Sequence, residues 1–167
     1  MSIHVTESDP RSLDAQFIEA YPALLLKETA NSGAFWGDGD MRPTDKSLDD
    51  RESFAVESKA RFRGRLSKSL RPTSPEWRKA MSQLKKFDNT ATRLFLVYAS
   101  KLKTFGVTIP KRDLKRLVGT DLMKELEKEE VQVDNEDAYF FTEAQWDVLY
   151  KQIEIINDGY IHEEESR

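Results

Sequence analysis

The sequence predicts a mainly α-helical protein, a helical bundle carrying a small C-terminal β-hairpin. Three observations predict it. Trp77, Met81, Leu84, Ala91, Phe95, Tyr98, Leu102 and Phe105 follow spacings of about three and four residues, interrupted at Asp88, which is the signature of an amphipathic helix. Helix-start signals recur at Ser12, at Ser74-Pro75-Glu76 and at Thr142-Glu143-Ala144-Gln145. Two β-prone runs, residues 131–133 and 138–141, flank the turn-forming Asp134-Asn135-Glu136-Asp137.

Taken in order, residues 1–11 read as an arm. Ser12 caps a helix through Leu13, Phe17 and Ala20, and Pro22 kinks or restarts it before Ala23–Glu28 continues to Gly33. Residues 33–52, with Gly33, Gly39, Pro43 and several Asp residues, read as a long loop. A helix over 54–70 places Phe54, Phe62, Leu66 and Leu70 on one side, and Pro72 ends it. The Trp77 periodicity predicts one helix to Phe105, or two broken at Asp88-Asn89-Thr90, with Gly106 as the terminating glycine. Helices over 110–118 and 121–130 are separated by Gly119. After the hairpin, a last helix turns Trp146, Leu149, Ile153 and Ile156 inward. The order of helices and hairpin from residue 90 onward has a winged-helix-like outline.

Charge divides the chain more sharply than hydropathy does. Residues 1–54 carry 11 Asp/Glu and 5 Lys/Arg, residues 55–119 carry 4 and 17, and residues 120–167 carry 15 and 4. The net charge of −4 therefore hides a strongly basic middle. The corresponding regions are an acidic helix and loop over 1–53, a basic helical region over 54–119, an acidic α/hairpin/α region over 120–160 and a tail over 161–167, expected to form one compact domain. Such a basic block is the electrostatic footprint of a polyanion. Arg61, Arg65 and Lys68, then Lys79, Lys86 and Arg93, then Lys111, Arg112, Lys115 and Arg116 form three basic helical faces, the candidate contacts to a phosphate backbone. Nothing in their spacing reads bases, so the expected partner is DNA or RNA without sequence preference.

In the winged-helix outline the helix that would enter a groove, residues 121–130, is acidic, and phosphates would repel it. Trp36, in the acidic loop without periodic neighbours, is the candidate anchor for a protein partner. The expected function is a non-catalytic nucleic-acid-associated protein, a subunit of a larger assembly or a self-associating chain. The alternative is a protein-interaction regulator or inhibitor whose acidic surface imitates a phosphate backbone.

Catalysis and cofactors are not expected. Cysteine is absent, and the two histidines, His4 and His162, lie near the ends of the chain. No phosphate-cradling glycine motif is present. Asp38-Gly39-Asp40 offers two carboxylates to a divalent ion but lacks the twelve-position ligand pattern of a calcium loop, so no metal is expected. No apolar run approaches the ~20 residues of a membrane span, and a cytoplasmic location is expected.

Overall fold

A computed structural model of the chain describes residues 12–29, 39–44, 51–62, 64 and 69–157. Helix α1 (Leu13–Ala20) leads through a 3-10 turn at Pro22–Leu24 into strand β1 (Leu26–Glu28). Strands β2 (Gly39–Pro43) and β3 (Phe54–Arg61) complete an antiparallel meander. Helix α2 (Ser74–Gln83) and a 3-10 turn at Lys85–Phe87 then cross to β4 (Thr92–Ala99), which lies parallel to β3. Strand β5 (Thr104–Pro110) returns antiparallel to β4 and runs straight into α3 (Lys111–Glu125). The hairpin β6 (Glu129–Val133) and β7 (Glu136–Thr142) follows, with β7 paired antiparallel to β5, and α4 (Glu143–Ile156) closes the described chain. The result is one seven-stranded mixed sheet in the order β1-β2-β3-β4-β5-β7-β6.

This architecture corrects the helical-bundle expectation, and the winged-helix outline falls with it. Residues 54–61 are a strand: Phe54 and Val56 enter the main core, Ala55 enters a cluster on the other face, and the period is two rather than 3.6. Residues 92–99 are a strand buried on both faces. A continuous apolar run satisfies helical spacing as readily as any other, so the Trp77–Phe105 stripe carried no real helical information past Leu84. Most of that stripe is buried, as expected of core, but Leu102 is exposed in the β4–β5 turn.

Gly106 does not terminate a helix. It sits within β5, where an added Cβ would lie 2.6 Å from Phe140 and 2.9 Å from Leu70. Residues 23–28 are a 3-10 turn and a strand, joined by Leu25 in a left-handed conformation (φ 55°).

Other local readings agree with the structure. Ser12 caps α1 by accepting a hydrogen bond from Ala15 N at 3.1 Å. The capping box of Thr142 and Gln145 opens α4, whose Trp146, Leu149 and Ile153 are fully buried, although Ile156 is exposed. The residue that caps α2 is Thr73, in a capping box with Glu76. The hairpin turns at Asp134 (φ 51°) and Asn135 (φ 65°), two consecutive positive angles of the kind tight hairpin turns need. Gly119, at φ 82° and ψ 167°, breaks the helical path inside α3.

The main core lies on one face of the sheet, beneath α1, α4 and the apolar side of α3, with the rings of Phe17 and Tyr21 each in contact with Phe105 and Trp146. The other face carries α2: Trp77 and Ala80 pack on Phe95 and Val97, and Leu84 packs on Ala55. No helix among the described residues is long and apolar enough to cross a membrane.

Candidate active site

The pleat decides what the α2 face presents. Along β3, Ala55, Glu57, Lys59 and Arg61 alternate with the residues of the main core. Glu57 lies directly opposite Asp40 in the β2–β3 register, and opposed residues of an antiparallel pair share a face. One face near the β1 edge therefore brings together the positions of Asp40, Glu57 and, two residues on, Lys59.

Glu57 is buried, 6% exposed, and its Oε1 accepts a hydrogen bond from Arg42 Nη2 at 2.8 Å. Arg42 is itself held, its Nη1 donating to the carbonyl of Val56 at 3.0 Å. The Arg42 guanidinium also lies 5.4 Å from the Phe87 ring centroid, and Lys86 Nζ lies 5.1 Å from the same ring. Glu57 is thus a buried carboxylate whose charge Arg42 compensates. Among the described residues no group of three His, Cys, Asp or Glu side chains gathers as a metal cage.

The ten cations expected at a phosphate backbone divide into four groups. Arg61 is a structural residue: its Nη1 donates to the carbonyls of Ser69 (3.1 Å) and Arg71 (3.2 Å), and its Nη2 pairs with Glu76. Burial pushes the Arg61 guanidinium pKa down, with Glu76 acting against that. Lys79 is exposed on α2. Arg65 and Lys68 lie outside the described residues, as does Trp36.

Of the remaining six, Lys86 lies in the 85–88 turn, Arg93 and Arg112 reach Asp88 at its end, and Lys111, Lys115 and Arg116 lie on α3. Arg93 is buried and donates through its backbone N, Nε and Nη2 to Asp113, each at 2.9 Å. The Asp113 hydrogen bond raises the Arg93 pKa more than desolvation lowers it. Asp88 lies 3.5 Å from Arg93 and takes a hydrogen bond from Arg112. Arg116 Nη2 donates to the carbonyl of Ala91 at 2.7 Å. Lys111, Arg112, Lys115 and Arg116 line a groove of about 790 Å³ with Glu136 and Asp137.

Several acidic residues of the C-terminal block are already engaged within the chain. Asp134 accepts from Arg78, Glu129 pairs with Arg71, and Glu136 accepts from Trp77 Nε1 at 2.8 Å. The charge blocks thus partly neutralise one another inside the fold.

No protein-family model, curated protein or solved structure matches the chain.

Sequence reasoning missed Glu57 and Lys59 because residues 54–70 read as a helix, which scatters Glu57, Lys59 and Phe54 around a cylinder. Read as a strand, Phe54 and Val56 alternating with Glu57 and Lys59 would have put the acid and the base on one face. The partner acid, Asp40, stood out only as a glycine-flanked loop residue.

Proposed function

We propose that the protein is a divalent-metal-dependent nuclease, hydrolysing phosphodiester bonds of DNA or RNA on the α2 face at Asp40, Glu57 and Lys59. The observation that carries this reading is the register pairing Asp40 with Glu57, with Lys59 two residues further along the same face.

Each residue has a chemical role in it. Asp40 and Glu57 would hold the cation, beside the Arg42 guanidinium that pairs with Glu57. When bound, the metal supplies Lewis acidity toward a phosphoryl oxygen and acidifies a water. Lys59 places an ammonium where negative charge develops on the phosphorane oxygens. A hydroxide oxygen bonds to phosphorus, the bond from phosphorus to the leaving sugar oxygen breaks, and that oxygen takes a proton from solvent. The basic middle of the chain supports a polymeric nucleic acid as the substrate rather than a small phosphate ester. The sequence alone pointed to a binder without chemistry; the Asp40–Glu57 register is the reason for proposing chemistry here. The rival reading through an acidic, phosphate-like surface is weakened by the internal partners of Asp134, Glu129 and Glu136.

The test is incubation of the full chain with single- and double-stranded DNA and RNA, with Mg²⁺, with Mn²⁺ and with EDTA. The reading expects cleavage with a divalent ion and none with EDTA. It also expects Glu57→Gln to weaken Mn²⁺ binding in a calorimetric titration. Cleavage that persists in EDTA, or Mn²⁺ binding that ignores Glu57→Gln, would overturn it.

A further inference from the structure

We infer that the cations of the 85–88 turn and the first turns of α3 form a track that holds the nucleic-acid backbone beside the Asp40–Glu57 site. This rests on the nucleic-acid reading above and adds where the strand lies and which side chains grip it.

An unbroken line of contacts connects the two places. Glu57 holds Arg42, Arg42 lies over Phe87, and Lys86 lies over the same ring. The next residue, Asp88, takes Arg112 and sits 3.5 Å from Arg93, which Asp113 grips through three hydrogen bonds. Arg93 is level with Ala55 in the β3–β4 register, two residues before Glu57. At ~3.3 Å per residue that is about 7 Å along the strands. A strand of B-form DNA advances ~3.4 Å per nucleotide along its axis. Backbone whose scissile phosphate sits at Glu57 therefore reaches the turn within a few nucleotides.

The cations along this line are of two kinds. Arg112 and Arg116 are tied down, to Asp88 and to the Ala91 carbonyl. Lys111 and Lys115 are exposed and, among the described residues, have no ion-pair partner. With the two arginines they line the groove of about 790 Å³. Glu136 and Asp137 lie on its far side, Glu136 accepting a hydrogen bond from Trp77. Fixed guanidinium groups beside free ammonium groups suit a chain of phosphates, for which register matters and base identity does not.

The experiment is fluorescence anisotropy of the full chain with a labelled duplex in EDTA, so that binding is read without cleavage, over a salt series. Removing two phosphate contacts with Lys111→Ala plus Lys115→Ala should lessen the log–log salt slope by about 2 and raise Kd about tenfold near physiological salt. Lys124→Ala plus Lys151→Ala removes the same charge elsewhere on the surface and should leave slope and Kd unchanged.

Equal slopes in parent and Lys111/Lys115 variant would overturn the track, as would an equal loss in the control variant or no binding at all. The two proposals fail separately. A slope change with no turnover of any diester keeps the track and removes the cleavage reading. Metal-dependent cleavage with an unchanged slope does the reverse.

Discussion

Asp113 is the buried charge on which the basic end of the sheet is built, and its removal has a calculable consequence. It is fully buried, and it accepts Arg93 backbone N, Nε and Nη2 at 2.9 Å each. Arg112 and Arg116 approach it to 3.9 Å and 4.0 Å. Asp113→Ala takes away the bonded counter-charge of the Arg93 guanidinium, whose side chain is 6% exposed, and leaves it Asp88 at 3.5 Å, an acid already bonded to Arg112. Breaking a buried pair in this way costs about 3–5 kcal/mol. For a chain of this size, at about 2–4 °C per kcal/mol, the thermal midpoint should fall by roughly 6–20 °C. Calorimetry gives the midpoint, and urea unfolding with an unchanged m-value shows that the loss is one of stability. Arg93→Met with Asp113→Leu removes both charges and should recover part of the loss, because an apolar pair replaces the ion pair while the residue-93 backbone N–H still loses its carboxylate acceptor. A loss below about 1 kcal/mol in Asp113→Ala would refute the reasoning, since no buried charge could then have been stranded.

Gly106→Ala should destabilise the protein by about 1–3 kcal/mol in urea melts, because its Cβ would meet Phe140 at 2.6 Å and Leu70 at 2.9 Å. Gly119→Ala meets no neighbour but must adopt φ 82° and ψ 167°, so the same assay should show a loss of about 1–3 kcal/mol that comes from backbone strain alone. Stability should also fall in alkali. Burial pushes the Tyr150 hydroxyl up to about 12, and burial with the Asp14 carboxylate raises Tyr98 well above its ordinary value. Their folded pKa values lie above the unfolded value near 10, so this stabilisation is complete below about pH 10 and is lost as pH rises through about 12. The urea midpoint should be flat from neutrality to about pH 9 and then decline, in step with tyrosinate absorbance; a midpoint that rises there would contradict the burial of these hydroxyls.

What could be read from the sequence follows where the chain's local signals agree with its tertiary environment. Thr142 with Gln145, and Asp134-Asn135 between β-prone runs, are self-contained devices: the cap and the turn are made by neighbours in sequence, and both occur as expected. Ser12 and α1 are legible for the same reason. The central strands are different. Past Thr92 and Arg93 the strand β4 is a continuous apolar run, residues 94–99, because it is covered on both faces, and such a run has no period of its own. Phe54–Arg61 carries Glu57, Lys59 and Arg61 inside a sheet, where charge is unusual, and the charges made a helix look the better reading. The site suffered for that. Asp40 and Glu57 are 17 positions apart in the sequence and meet only through the β2–β3 register, which no local pattern specifies. The basic cluster was partly legible: the i, i+1, i+4, i+5 spacing of Lys111, Arg112, Lys115 and Arg116 does make one face of α3. Arg61 and Arg93 were misjudged as surface contacts because their anchors, the Ser69 and Arg71 carbonyls and the distant Asp113, come from the fold.

The measurement that tests the central claim most directly is a single-turnover cleavage assay of a labelled duplex and a labelled single strand in Mg²⁺ or Mn²⁺. It compares the parent chain with Asp40→Asn, Glu57→Gln and Lys59→Met. The account predicts metal-dependent strand cleavage by the parent. Each variant should be slower by about 10²–10³-fold or more while remaining folded and still binding the nucleic acid in EDTA. Cleavage at the parent rate by Glu57→Gln, or no metal-dependent cleavage by a folded parent that binds these substrates, would contradict it.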